Sequence, residues 1–323
     1  MSKFSEALGK IQADRGPETR REKGVKEVPA YRGAEESKSR APSWDTGIKL
    51  LKNANPQPVI VTSRFPNSLI TEQYRMLRTS LKAQCVKDGV QVIMVSSSLH
   101  SEGKSVTSTN LALSLAEDEN VKVALIDADL RKGKIHDYLG FGKEHKGLSH
   151  LLEENLSPKE VMLRSVRPNL CVIPRGFIPK NPSSVIGSEK FRILLAELRT
   201  MFDYIIIDAP PIMSVADPGI IARDVDGVLF VIQISRTPKT MIAHSNMLFK
   251  QAGARMLGYV LTNVEYQNSE YRYYNNYYES YEENSPKFKD KARFHLKRVG
   301  MSLESGEGRF NKWWNKTVLK RDK

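Results

Sequence analysis

The 323-residue sequence has no apolar run near the ~18 residues that a membrane-spanning helix needs. Its first 30 residues carry charges throughout, unlike a cleaved secretory signal. An integral membrane protein and a secretory precursor are therefore both disfavoured. Cysteine is scarce as well. Cys85 and Cys171 stand in unrelated apolar segments, which offers neither a metal-ligand spacing nor a disulfide framework and favours a reducing compartment.

Net charge is nearly absent from the middle of the chain. Residues 61–283 hold 26 basic and 25 acidic residues, whereas residues 1–60 hold 12 and 8, and residues 284–323 hold 12 and 4. A basic tail suits nucleic acid, acidic lipid headgroups or an acidic partner. Aromatic residues among its lysines, including Trp313 and Trp314, favour a membrane surface. The alternative is a solvated tail that binds nothing.

Composition divides the chain into four segments. Residues 1–56 are predicted to be a charged linker that opens with a short amphipathic helix, and residues 57–264 a folded domain. Residues 265–283 contain seven of the 12 tyrosines and almost no aliphatic side chains. Residues 284–323 form the basic tail.

Between residues 90 and 263, short apolar runs alternate with amphipathic stretches. Runs without period-2 alternation are typical of strands buried on both faces of a parallel sheet. The six predicted strands are residues 91–96, 122–126, 169–173, 204–207, 227–233 and 257–262. Helices are predicted at residues 68–87, 104–117, 188–201, 216–223 and 239–252. The predicted fold class is α/β, with a doubly wound, mostly parallel sheet.

A phosphate-binding loop is indicated where the first strand gives way to a helix. Residues 98–105 read SLHSEGKS, in which Gly103, Lys104 and Ser105 match the P-loop pattern and Ser98 replaces its first glycine. Backbone N–H groups of such a loop and of the following helix N-terminus cup phosphate oxygens. We expect Lys104 to reach the β- and γ-phosphates of a nucleotide and Ser105 to ligate Mg²⁺.

Three carboxylates follow two other predicted strands. Asp127 and Asp129 end the run VALIDADLR, and Asp208 ends the run YIIID. Residues two apart in extended backbone face the same side, and the carboxyl ends of parallel strands line one crevice. The acids should therefore converge near Lys104 and Ser105 around one metal–nucleotide, with Asp208 as the Walker B acid. The alternative for each is a turn-capping role.

These motifs resemble those of the bacterial tyrosine kinases (BY-kinases), the cytoplasmic autokinases of capsule and exopolysaccharide export. The resemblance covers about residues 57–281 and includes the P-loop, LIDADLR, IIIDAPP and the tyrosine cluster. Glu72, Arg75 and Arg78 reproduce the E-x-x-R-x-x-R helix with which that family forms rings. Other segments that look like family landmarks are residues 134–140, 146–152, 181–188 and 216–222.

The sequence also departs from the family pattern. Ser98, His100 and Ser101 differ from the usual P-loop residues, Gly133 stands where proline is common, and Ala209 replaces a threonine. None of these changes removes a charged group that the chemistry needs.

The resemblance implies an ATP-dependent protein-tyrosine autokinase that uses Mg²⁺. Its implied catalytic residues are Asp127, Lys104, Asp129 and Asp208. Its implied nucleotide contacts are Ser101, Glu102, Gly103, Lys104, Ser105, Val106, Arg131 and Asn263. Its implied magnesium ligands are Ser105, Asp129 and Asp208. Its implied phosphate acceptors are Tyr271, Tyr273, Tyr274, Tyr277, Tyr278 and Tyr281.

Asp127 is expected to accept or orient the acceptor's proton, because a phenol with a pKa near ~10 is mostly protonated at neutral pH. The resemblance also implies a ring-shaped homo-oligomer with phosphorylation in trans, regulated by a protein tyrosine phosphatase. A separate membrane-anchored polysaccharide co-polymerase is expected as activator. The expected location is the cytoplasm, at the inner face of the plasma membrane.

Three alternatives remain open at this point. A partition-type ATPase shares the fold and nucleotide site, but it usually carries an extra P-loop lysine that residues 97–101 lack. A nucleotide-dependent scaffold would not need every charged catalytic group. DNA binding through the basic ends is disfavoured by the near-neutral middle of the chain.

Overall fold

The computed structural model describes residues 47–51, 54–142, 145–154, 156–164 and 167–264, together with the backbone of residues 302–304. The expected leader helix and the tyrosine cluster, and all of the basic tail except that short backbone segment, lie outside these residues. No helix in the described part of the chain is long and apolar enough to span a membrane.

A sheet organises the described residues. Its strands are β1 (Lys49–Leu50), β2 (Val92–Ser97), β3 (Val123–Asp127), β4 (Leu163–Arg164), β5 (Leu170–Ile173), β6 (Tyr204–Asp208), β7 (Gly227–Gln233), β8 (Met256–Thr262) and β9 (Ser302–Glu304). They lie in the order β1-β4-β5-β3-β6-β2-β7-β8-β9. The six central strands, β5, β3, β6, β2, β7 and β8, are mutually parallel. Strand β4 is antiparallel to β5, and β9 is antiparallel to β8.

The six parallel strands are those predicted from the apolar runs, and no boundary differs by more than one residue. Every side chain of β2, β3, β5 and β6 is buried, as strands covered on both faces require. The fold class is therefore confirmed. The additional strands β1, β4 and β9 have only two or three residues, too few for an apolar pattern to show.

Ten helices lie in the described part of the chain. They are α1 (Val61–Arg64), α2 (Leu69–Asp88), α3 (Lys104–Leu115), α4 (Ile135–Leu139), α5 (Leu148–Glu153), α6 (Pro158–Val161), α7 (Pro182–Ile186), α8 (Glu189–Met201), α9 (Asp217–Ile221) and α10 (Lys239–Gln251). The predicted helices are confirmed as α2, α3, α8, α9 and α10. The others have four to six residues, too few to display a 3.6-residue period.

The core has two apolar layers, one on each face of the sheet. Alternate residues of a strand enter opposite layers, so that Met94 of β2 packs in one and Ile93 in the other. Helices α8 and α10 cover the first layer with residues such as Phe191 and Phe249. Helices α2 and α3 cover the second with residues such as Tyr74. This double cover leaves the carboxyl ends of the parallel strands free to form a site.

Candidate active site

The loop between β2 and α3 has the shape of a phosphate cradle. Gly103 has a left-handed φ of 96°, and α3 begins at the next residue, Lys104. A Cβ at Gly103 would lie 3.4 Å from Cγ2 of Thr262, so β8 approaches the loop closely. Ser101 also has a positive φ, 63°. The tight turn places the N-terminus of α3, with its unpaired N–H groups, at the end of β2.

Ser98, which replaces the first P-loop glycine, is accommodated by α10. Its hydroxyl lies 2.9 Å from the hydroxyl of Ser245, and both residues are completely buried. The added side chain therefore hydrogen-bonds within the protein, and this departure from the motif leaves the loop intact.

Three buried carboxylates converge on Lys104. Asp127 and Asp208 are paired in register across the adjacent strands β3 and β6. Asp129 lies just beyond β3, and its Oδ2 is 3.2 Å from Nζ of Lys104. The hydroxyl of Ser108, one turn into α3, donates to Oδ1 of Asp208 at 3.2 Å. The structure thus brings together the predicted lysine and all three predicted acids.

Two carboxylate oxygens in this cluster have no hydrogen-bond partner among the residues that the structure describes. Oδ2 of Asp127 accepts the N–H of Ile135 at 3.1 Å, but its Oδ1 is buried and unpaired, as is Oδ2 of Asp208. Burial raises the pKa of both carboxyl groups, and their mutual repulsion raises the pKa of Asp127 further. Burial lowers the pKa of Lys104, but Asp208 and Asp129 outweigh it and raise that pKa.

The unpaired oxygen of Asp208 fits a hard cation beside a polyphosphate, because Mg²⁺ prefers oxygen ligands. Among the described residues, no group of three or more His, Cys, Asp or Glu side chains is arranged to hold a metal by itself. The site therefore suits a metal that also binds phosphates and water. Ser105 follows Lys104 in the first turn of α3, and its Oγ lies 3.4 Å from Nζ of Lys104.

The side chain of Glu102, a residue predicted to contact nucleotide, binds protein groups. Its Oε2 accepts the N–H of Leu99 at 2.8 Å, and its Oε1 accepts the hydroxyl of Thr237. The hydroxyl of Thr262 donates to its backbone oxygen at 2.8 Å. Burial raises the pKa of Glu102, although these hydrogen bonds oppose the shift. Glu102 thus braces the P-loop against the neighbouring strands.

Arg131, also predicted to contact nucleotide, is held by two landmark segments. Its Nε lies 3.3 Å from Oδ2 of Asp217, and its Nη2 lies 3.1 Å from Oγ of Ser183. The Ser183 hydroxyl donates to the other oxygen of Asp217. Ser183 and Asp217 belong to the landmark segments 181–188 and 216–222, for which the sequence indicates no role. Their contacts with Arg131 show that these segments hold the arginine in position.

The remaining predicted nucleotide contacts lie around the same loop. Val106 is in the first turn of α3 and is partly buried. Asn263 follows β8 with a φ of 58°, and its Nδ2 is 3.4 Å from the backbone oxygen of Ile234. The six predicted acceptor tyrosines lie outside the described residues.

The predicted oligomerisation residues form a network within the chain. Arg75 donates to Glu72 and makes two hydrogen bonds, of 2.9 and 2.8 Å, to the carboxylate of Glu117. Arg78 reaches the same carboxylate and the backbone oxygen of Ser114, each at 2.6 Å. Burial raises the pKa of Glu117, but the two arginines outweigh it and lower that pKa. We call these contacts the α2–α3 clamp.

Several of the residues in these contacts were not singled out from the sequence. Ser108 could have been found from its position four residues after the P-loop lysine. Ser183 and Asp217 lie in recognised landmarks, but a landmark alone does not name its partner. Glu117 carries no local signal. Arg175, which the sequence also does not single out, has Nε and Nη1 buried without a hydrogen-bond partner in the described part of the chain.

A strand–loop–helix with a lysine at the helix start, and acids at the ends of neighbouring strands, defines a P-loop nucleotide-binding domain. In agreement, residues 90–239 match the family model described as "AAA domain". Tyrosine-protein kinase CpsD of Streptococcus agalactiae is 33% identical over 219 residues, which are 68% of this chain and 94% of that protein.

Two further proteins show the same similarity. Tyrosine-protein kinase ptk of Acinetobacter johnsonii is 34% identical over 235 residues, 72% of this chain, but the chain spans only 31% of that longer protein. The solved kinase domain of Escherichia coli tyrosine kinase ETK is 29% identical with a TM-score of 0.61, covering 65% of this chain and 81% of that one. The chain therefore belongs to the bacterial tyrosine-protein kinases and is an enzyme of that class. Membership implies that the P-loop site binds ATP.

Proposed function

We propose that the chain transfers the γ-phosphoryl group of Mg-ATP to the tyrosines between residues 266 and 281 of a neighbouring copy. One observation carries the proposal: Lys104, Asp127, Asp129 and Asp208 form one buried cluster at the N-terminus of the P-loop helix. The same chain supplies a tyrosine-rich acceptor segment directly after the last parallel strand.

Positioning and charge neutralisation are the main requirements of this reaction, because the phosphoryl transition state is loose and rich in negative charge. Lys104 holds the phosphates with the N–H groups of the loop, and its hydrogen bond to Asp129 fixes its direction. Bound Mg²⁺, held by Ser105, Asp129 and Asp208, would supply further charge neutralisation.

Asp127 receives the proton of the acceptor hydroxyl. Its unpaired Oδ1 is available for this hydrogen bond, whereas Oδ2 is oriented by the N–H of Ile135. Burial and Asp208 raise the pKa of Asp127, which makes it a stronger base than an exposed carboxylate.

Phosphorylation in trans within a ring is supported by the surface of α2. Glu72, Arg75 and Arg78 keep 34%, 28% and 22% of their side chains exposed while bound in the α2–α3 clamp. A cleft of about 450 Å³ beside them, lined by Arg78, Thr79, Lys82, Glu117 and Asp118, is open to a neighbouring copy.

In this proposal the kinase regulates polymerisation and export of an exopolysaccharide or capsule at the inner face of the plasma membrane. Its activator is a membrane-anchored co-polymerase, and a protein tyrosine phosphatase reverses the modification. The family resemblance supports these partners. Each phosphate adds about −1.5 to −2 charges at neutral pH, so modified tails should repel one another and loosen the oligomer.

The test is intact mass and peptide mapping after incubation with Mg-ATP, with Lys104→Met and Asp127→Asn as comparison variants. We expect phosphate only in peptides covering residues 266–281, and none in either variant. ATP binding by Asp127→Asn serves as the control for folding. Unmodified tyrosines despite ATP hydrolysis, with an activator fragment also present, would favour the partition-type ATPase.

A further inference from the structure

Two loops lie side by side at the carboxyl edge of the sheet, next to the catalytic acids. Residues 128–134 join β3 to α4, and residues 174–181 join β5 to α7. Their parent strands are adjacent, with Ile126 paired to Ile173. The hydrogen bond of 3.1 Å between Arg131 and Ser183 ties the first loop to the start of α7.

These loops present cations and apolar side chains together. Lys132, Lys134 and Lys180 are exposed. Phe177 and Ile178 are exposed by 39% and 59%, an unusual position for large apolar side chains beside a polar site. The acceptor rim is the name used below for six residues: Arg131, Lys132, Lys134, Phe177, Ile178 and Lys180.

Two members of the acceptor rim are held in place from behind. Asp217, which is completely buried, and Ser183 bind the Nε and Nη2 side of Arg131, yet 38% of the arginine side chain remains exposed. The ring of Phe177 packs edge-on against His150 at a centroid distance of 4.8 Å. A fixed cation and a fixed aromatic ring lose little conformational entropy when they bind a partner.

The tyrosine segment, residues 265–283, has complementary chemistry. It carries five glutamates and one arginine with its seven tyrosines, so its acidic and aromatic composition complements the basic and aromatic acceptor rim. Its first residue follows Val264, just beyond the carboxyl end of β8. We propose that the acceptor rim binds this segment of a neighbouring copy and selects tyrosines flanked by glutamate. The inference rests on the proposed function and names how the acceptor is recognised.

Chain length favours a neighbouring copy for the first tyrosines. In the strand order, β8 is four positions from β3 and five from β5, about 19 and 24 Å at ~4.8 Å per strand. The seven residues that follow Val264, up to Tyr271, span at most ~25 Å when fully extended. The chain's own Tyr271 would therefore need a straight path across the sheet edge to reach the part of the acceptor rim that follows β5, whereas a neighbour's segment has no such restriction.

The first experiment measures binding without catalysis. A fluorescein-labelled peptide of residues 265–283 is titrated with the full chain in the absence of ATP, and anisotropy gives the dissociation constant. Replacing Lys132, Lys134 and Lys180 by Gln should weaken binding about fivefold, since each exposed charge pair contributes modestly. The matched control replaces Lys87, Arg223 and Lys250 by Gln. These residues are exposed near the opposite edge of the sheet, so this variant should leave binding unchanged.

One change in the peptide and one further variant of the protein examine the charged and the apolar contacts separately. The triple variant is the chain with Lys132, Lys134 and Lys180 replaced by Gln. A peptide with its five glutamates changed to Gln should bind the unmodified chain as weakly as the native peptide binds the triple variant. Combining the two changes should cause no further loss of affinity. Phe177→Ser with Ile178→Ser should weaken both peptides equally. Equal affinity of the triple variant and its control would overturn the proposal, even if the chain proves to be an active kinase.

The second experiment assigns the rim to the copy that uses it. An active chain with phenylalanine at all seven cluster tyrosines phosphorylates a Lys104→Met chain that retains them. The triple variant placed in the active chain should raise KM for the acceptor about fivefold with kcat and the KM for ATP unchanged. The same substitutions in the acceptor chain should have no effect, and an effect only there would show that the segment binds its own rim instead. If no combination of chains gives phosphorylation, the proposed function is contradicted. The peptide-binding measurement, which uses no ATP, would still test the acceptor rim independently.

Discussion

At the scale of single residues, the catalytic acids depend on the absence of neighbouring atoms. Gly133 is a case in point, because an ideal Cβ there would lie 2.2 Å from Oδ1 of Asp127 and 2.5 Å from its Oδ2. In the present loop conformation, the carboxylate of Asp127 occupies the space that a side chain at residue 133 would need, so a Cβ there requires the carboxylate or the loop to shift.

We expect Gly133→Ala to displace the Asp127 carboxylate and lower the rate of tyrosine phosphorylation about 100-fold, because small misplacements of reacting groups have effects of that order. Affinity for a fluorescent ATP analogue should change little, since Lys104 and the loop are untouched. Gly219→Ala is the control, because the nearest atom to its Cβ is 4.0 Å away. Near-normal activity of Gly133→Ala would show that Asp127 moves freely or is not required.

At the scale of secondary-structure elements, charged side chains tie helices and strands together on the side of the sheet where β2 and β3 begin. The α2–α3 clamp does so beside the P-loop helix. At the amino edge, the carboxylate of Asp226 accepts the N–H groups of Gln91 and Val92 at 2.8 and 2.7 Å and binds Arg199 of α8. Asp226 therefore fixes the start of β2, the strand that leads into the P-loop.

Asp226→Asn should lower the free energy of unfolding at neutral pH by about 2 kcal/mol, the range for hydrogen bonds to charged groups. Burial raises the pKa of Asp226, but Arg199 and the two N–H groups outweigh it and lower that pKa. A pKa lowered by folding gives stability that is full above about pH 4 to 5 and is lost as the pH falls through the folded value. Urea unfolding at several pH values should therefore show the two proteins converging in acid. Asp203→Asn is the control and should have a smaller effect, because the carboxylate of Asp203 is exposed and accepts the N–H of Lys122.

At the scale of the whole molecule, the acceptor and the catalytic cluster belong to different copies in the proposed function. The arginines that the family resemblance assigns to ring formation are already bound to Glu117 within the chain. Removal of these arginines thus changes both the clamp and the surface offered to a neighbour. Only a variant that opens the clamp and keeps the arginines separates the two effects.

Autophosphorylation per chain should rise with protein concentration, because the reaction requires an encounter between copies. Arg75→Ala with Arg78→Ala should lower the rate in dilute protein by about tenfold through lost effective concentration, with ATP affinity retained. Light scattering should show the matching loss of oligomer. Glu117→Gln, which opens the clamp but keeps both arginines, should retain the oligomer. A rate independent of concentration in the unmodified protein would indicate phosphorylation within one copy.

Some of the site could be predicted because its signals are local. A strand buried on both faces appears as a short apolar run, and the P-loop residues and the acids follow such runs directly. The partners of Arg75 and Arg131 could not be predicted, because Glu117 is 42 residues away and Asp217 is 86 residues away. Nothing in either segment by itself indicates which distant charge it will contact.

Local sequence is enough to identify the parallel strands, the lysine and acids of the site and the tyrosine-rich segment, since each depends on residues close together in the chain. The three-dimensional packing is needed to show which oxygens of Asp127 and Asp208 stay unpaired, that Glu102 braces the loop, and that two loops lie side by side with basic and apolar side chains. The physical reason is that hydrogen-bond satisfaction and burial depend on every element packed around a group, and the packing exists only after the strands have found their order.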